Sequence, residues 1–81
     1  MYEILINDEL VGLGLSKGET NQWLLDLFNE LSLEQKDNFK LSLGFQGEDK
    51  LLEDYLYETD FKIPMKINFG NEIITIIDCD M

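Results

Sequence analysis

The stretch Gln46–Asp60, QGEDKLLEDYLYETD, carries six acids, Glu48, Asp49, Glu53, Asp54, Glu58 and Asp60, against one base, Lys50. Wound as a helix, it puts Leu51, Leu52, Tyr55 and Leu56 on one side and Glu53, Asp54, Tyr57 and Glu58 on the other. Glu48 and Asp49 fall in the first turn, where the helix dipole favours negative charge. The apolar side needs a sheet or a second helix to cover it. The other side is an acidic, tyrosine-bearing face left in water.

Strand patterns flank this helix. Downstream, Ile63, Met65, Ile67 and Phe69 alternate with Lys62, Pro64, Lys66 and Asn68. Gly70-Asn71 then supplies a two-residue turn of the II′ kind, so Lys62–Asp78 reads as a hairpin. Ile73–Ile77 is too apolar to alternate, which predicts a strand that is central or covered on both faces. Pro64 cannot donate to a ladder, so its strand either starts there or has an edge side. Upstream, Phe39, Leu41, Leu43 and Phe45 alternate with Lys40, Ser42 and Gly44 and read as a further strand.

Tyr2–Leu15 reads as a first hairpin. A turn through Asn7-Asp8-Glu9-Leu10 sets Ile6 opposite Val11, Ile4 opposite Leu13 and Tyr2 opposite Leu15, leaving one face wholly apolar. Gly12, Gly14 and Gly18 with Lys17 follow a strand and precede a helix, but their spacing fits neither G-x-G-x-x-G nor G-x-x-x-x-G-K-[ST]. A strand bend or close packing accounts for them instead. A helix follows from about Asn21, with Leu24, Phe28 and Leu31 on one face and Trp23 and Leu27 flanking them. Ser16-Glu19 and Ser32-Gln35 both have capping-box spacing. The helix therefore either runs on past Ser32, aligning Asp26, Glu30, Glu34 and Asp37, or breaks there and splits them two and two. The resulting order, ββ-α(α)-β-α-ββ, predicts a single α+β domain over residues 1–81. Its mostly antiparallel sheet has about five strands, with two helices packed on one face.

Composition narrows the chemistry. The 81 residues hold 17 acids and six lysines, with no Arg and no His, for a net charge of −11. Without imidazole there is no Ser-His or Cys-His pair. Cys79 lies between Asp78 and Asp80, whose charge disfavours the thiolate. Zinc-type Cys/His spacing and an EF-hand loop are both missing, although Asp78 and Asp80 could share a cation weakly. The expectation is a non-enzymatic domain with no metal and no cofactor. A single cysteine and the lack of a basic segment leading into an apolar run predict a cytoplasmic chain without a signal peptide or a membrane span.

Such a charge repels nucleic acid and anionic membranes and selects basic partners. Acids four apart on a helix repel by roughly 0.2–0.5 kcal/mol per pair, and Asp26–Glu30, Glu30–Glu34 and Asp54–Glu58 repeat that cost in one sense. The repetition suggests that the negative face is wanted; the plain alternative is a solubilising surface. Carboxylates one helical turn apart step about 6 Å along the axis, a spacing suited to imitating a phosphate array. The expected contact surface is Glu53, Asp54, Tyr57 and Glu58, with Glu48, Asp49 and Asp60 at the rim. Asp26, Glu30, Glu34 and Asp37 form a second stripe, and Trp23 is either core or an aromatic anchor beside it.

In size, acidity, one-domain layout and lack of catalytic groups the chain resembles phage-encoded inhibitors of bacterial defence systems and immunity proteins of nuclease toxins. The resemblance implies an inhibitor of a basic nuclease or other nucleic-acid-binding protein, and it carries no residue roles with it. A structural module is the competing expectation. There the strand Ile73–Ile77, or the edge beside Pro64, pairs with another copy or a larger complex.

Overall fold

A computed structural model describes residues 1–58 and 63–78. The elements in chain order are β1 (Tyr2–Ile6), β2 (Glu9–Leu15), α1 (Lys17–Glu30), α2 (Leu33–Leu43), a 3₁₀ turn (Asp49–Leu51), α3 (Leu52–Glu58), β3 (Met65–Asn68) and β4 (Ile73–Asp78). The sheet runs β2-β1-β4-β3, antiparallel throughout. The α+β class with an antiparallel sheet is as expected. Among the described residues, however, there are four strands and three α-helices, not five and two.

The difference lies at Phe39–Phe45. The alternation there is real, but it coincides with helical spacing: Phe39 is buried and Leu43, four residues on, packs against the core. Leu41, between them, points to water and is 72% exposed. Two local signals fix the helix. Ser32 and Gln35 close a reciprocal capping box at its start. Gly44 ends it in the left-handed region at φ 74°, and the Gly44 and Phe45 amides donate to the last carbonyls. Ser42 Oγ then ties α2 to β3, donating to the Asn68 carbonyl and accepting from its amide, each at 2.9 Å.

The first hairpin also turns earlier than expected. Asn7 and Asp8 both have positive φ, 51° and 69°, which makes a two-residue turn of the I′ kind. Ile6 therefore faces Glu9 and Leu5 faces Leu10. Two register irregularities in β2 then take up one residue each, so that Tyr2 still reaches Leu15. The second hairpin turns at Gly70-Asn71 as expected: Phe69 N–H donates to the Glu72 carbonyl, and Gly70 has a φ of 110°. β4 is central, as its apolar run predicted, but only its inward face is fully covered. Ile74 and Ile76 are buried, while Ile73 is exposed and Thr75 and Ile77 are half-buried. Because β4 lies between β1 and β3, Ile73–Ile77 is no edge. The edges are β2 and β3, and β3 begins directly after Pro64.

The core joins one sheet face to the helices. Ile4, Ile67, Ile74 and Ile76 meet Leu24 and Phe28 of α1, Phe39 of α2, and Leu52 and Leu56 of α3. The Phe28 and Phe39 rings stack edge to face at 5.2 Å. No helix among the described residues is long and apolar enough to cross a membrane.

Candidate functional site

α3 has seven residues, about two turns, and too few to hold a helix in water alone. Tertiary contacts fix it from three directions. Leu52 and Leu56, one turn apart, are fully buried against the core. The Tyr55 hydroxyl donates to the Leu43 carbonyl at the end of α2 at 2.9 Å, and its ring lies 4.9 Å from that of Phe45. At the C-terminal end of α3, Asn21 Nδ2 donates to the Leu56 carbonyl at 3.4 Å and Lys17 Nζ to the Tyr57 carbonyl at 3.3 Å. Both donors come from α1, and the lysine brings positive charge to the negative end of the α3 dipole.

With 52, 55 and 56 turned inward, Glu53, Asp54, Tyr57 and Glu58 are left outward, and all four are exposed. Tyr57 is 47% exposed. None of the three carboxylates has an ion-pair partner among the described residues. The split between docking and outward positions read from sequence holds, except at Leu51. That residue sits in the 3₁₀ turn and is itself exposed.

The other expected site residues divide. Asp49 is paired with Lys40 of α2 at 2.8 Å, and Glu48 with its near neighbour Lys50 at 3.1 Å. These two rim acids thus have local countercharges, and Asp49 also ties the 3₁₀ turn to α2. Asp60 lies outside the described residues. The second stripe is not continuous, because Leu31 and Ser32 are extended, at ψ 153° and 167°. Asp26 and Glu30 lie on α1, and Glu34 and Asp37 on α2, so Glu30 and Glu34 are not neighbours on one helix. On α2 the two acids are matched in number by Lys36 and Lys40, and Lys36 Nζ sits 5.4 Å over the Phe28 ring. Asp26 accepts a hydrogen bond from Gln22 at 2.9 Å and, with Glu30, borders a shallow groove of about 290 Å³ floored by half-buried Trp23 and Leu27. Trp23 packs against the core, and its exposed part lines that groove.

Sequence reasoning missed the residues that hold the site. Asn21 is fully buried between α1 and α3, and its Oδ1 has no hydrogen-bond partner among the described residues. In the sequence it is one polar residue in a capped first helix, with nothing to mark it as reaching another element. Among the described residues, no three side chains of metal-ligating type come together. No known protein family, curated protein or solved structure matches the chain.

Proposed function

We propose that this domain binds a basic, nucleic-acid-handling protein through the outward face of α3 and blocks the groove that nucleic acid would occupy. One observation carries the reading: Glu53, Asp54 and Glu58 stand exposed on one short helix with no ion-pair partner among the described residues, beside an exposed tyrosine. Leaving three like charges unpaired on an element that must be held in place by other elements costs stability. An inhibitor recovers that cost when lysines and arginines of a phosphate-binding groove meet the face. Tyr57 suits the role of an aromatic anchor at its centre. The partner is a nuclease or other nucleic-acid-binding protein, in keeping with both an inhibitor of a defence system and an immunity protein. The domain itself acts without catalysis or cofactor.

The test is capture from cell lysate with the chain as bait, released by rising salt, with duplex DNA and RNA as competitors. The expected result is a basic nucleic-acid-binding protein that is retained at low salt and displaced by nucleic acid. It should be lost when Glu53→Lys, Asp54→Lys and Glu58→Lys are combined, with an unchanged circular-dichroism spectrum. Retention of the same partner by the triple variant would remove α3 from the reading.

A further inference from the structure

The groove on α1 lies apart from the α3 face. Trp23, Asp26, Leu27 and Glu30 follow helical spacing and share one side of α1. Trp23 comes two residues after Asn21 and so lies nearly opposite it, on the side of α1 turned away from the bond to α3. Half-buried Trp23 and Leu27 form the apolar floor, and exposed Asp26 and Glu30 stand at its border. Its volume is about 290 Å³. Pockets that enclose a small molecule run from about 300 to 1,000 Å³. This shallower groove has the size to seat one long side chain.

The charges of the groove say which side chain fits. Lys17 is the only base on α1, and it reaches toward the C-terminal end of α3. Lys36 of α2 sits over the Phe28 ring. Among the described residues Glu30 has no ion-pair partner, and Asp26 is hydrogen-bonded only to the neutral amide of Gln22. Two carboxylates one turn apart thus flank an indole face with nothing to offset their repulsion. An acidic side chain would add to that repulsion, and an apolar one would leave it in place. A cation answers both carboxylates and is drawn to the indole face as well. Arginine matches the shape best. Its guanidinium is planar and weakly hydrated, so it can stack on the ring while its N–H groups point outward to carboxylates. Its aliphatic stem can lie along Leu27. A lysine ammonium offers the charge but neither the flat stacking surface nor the fork.

We propose that the Trp23 groove seats an arginine side chain of a basic partner protein, with the guanidinium stacked on the indole and donating to Asp26 and Glu30. The proposal does not rest on the α3 reading, since it concerns a different side of α1.

Trp23 is the only tryptophan in the chain, so tryptophan fluorescence reports from within the groove. The full chain is titrated with an end-capped peptide of alternating glycine and arginine that carries two arginines, and with its lysine counterpart. A saturable change in emission is expected with the arginine peptide, with a dissociation constant about fivefold below that of the lysine peptide. Asp26→Asn with Glu30→Gln should weaken arginine-peptide binding about fivefold. Asp54→Asn with Glu58→Gln removes the same charge from α3 and should weaken it less than about twofold, through steering alone. All four positions are exposed, so both variants keep the core. An emission that does not respond, equal weakening by the two variants, or a lysine peptide that binds as tightly as the arginine one would overturn the proposal. Failure of the α3 reading would show separately, as a captured partner that the α3 triple variant still retains.

Discussion

α2 and α3 lie next to one another in the chain and both carry acids on their outward sides, yet they are built in opposite ways. α2 is specified locally: a capping box opens it, a left-handed glycine closes it, and its two acids are balanced by two lysines. α3 has none of this. The 3₁₀ turn that leads into it has no side-chain cap, no base lies in its last turn, and its carbonyl end is held by Asn21 and Lys17 of another helix. The helix with its own caps is electrically quiet, and the helix without them is the charged one. Surface acidity in this molecule is therefore not a uniform coat.

The largest expected effect tests that unevenness directly. Asp54→Lys with Glu58→Lys, and Glu34→Lys with Asp37→Lys, each move the net charge from −11 to −7 by reversing two acids. Long-range steering is then weakened equally in both variants. If α3 is the contact, the α3 pair should lower affinity for a captured basic partner by about a hundredfold, the scale of two lost charge contacts replaced by repulsion. The α2 pair should lower it less than about threefold, through steering alone. Equal losses, measured by titration calorimetry at one salt concentration, would mean that only total charge matters and would erase the contrast between the helices.

The same contrast explains how much could be read from sequence. The outward set of α3 was legible because its apolar positions, Leu52, Tyr55 and Leu56, follow helical spacing and its acids fill the remainder. α2 was not, because Phe39 and Leu43 satisfy a period of two and a period near four alike, and only the exposed Leu41 distinguishes them. Its cap at Ser32 was visible, but the strand-like alternation beyond it outweighed that signal. In the first hairpin, the positive φ of Asn7 and Asp8 set a register that the apolar pattern argued against. The extra residues went into irregularities, which no pairing rule anticipates, and the cost was leucines left in water on the outer face. Long-range contacts such as Asn21 to Leu56 leave no mark on local sequence at all.

If α3 is held from outside, loosening one of its holders should act on it selectively. Asn21→Ala removes the bond to the Leu56 carbonyl and the packing of a buried side chain. It also removes an unpartnered Oδ1, which offsets part of the loss. A net destabilisation of about 1–2 kcal/mol is expected by denaturant titration. Amide exchange should quicken in Tyr55–Glu58 well before it does in β1 or β4. Uniform quickening across the sheet would show that α3 is part of the cooperative core, not an attached element.

The smallest effect concerns the local design of α2. Ser32→Ala deletes the hydroxyl that accepts from the Gln35 amide, and typical cap losses put the cost at about 1 kcal/mol. Because Ser32 also marks the break between α1 and α2, its removal takes away one reason for the chain to leave the helix at Leu31. A continuous helix would swing Phe39 out of the core and align Glu30 with Glu34. Burial of Phe39 far outweighs one cap, since emptying such a site costs about 3–5 kcal/mol. The break should therefore survive, with unchanged helical content in the far-ultraviolet spectrum and a slightly lower melting temperature. A gain in helicity would instead mean that the cap, and not the burial of Phe39, divides the two helices and keeps their acids apart.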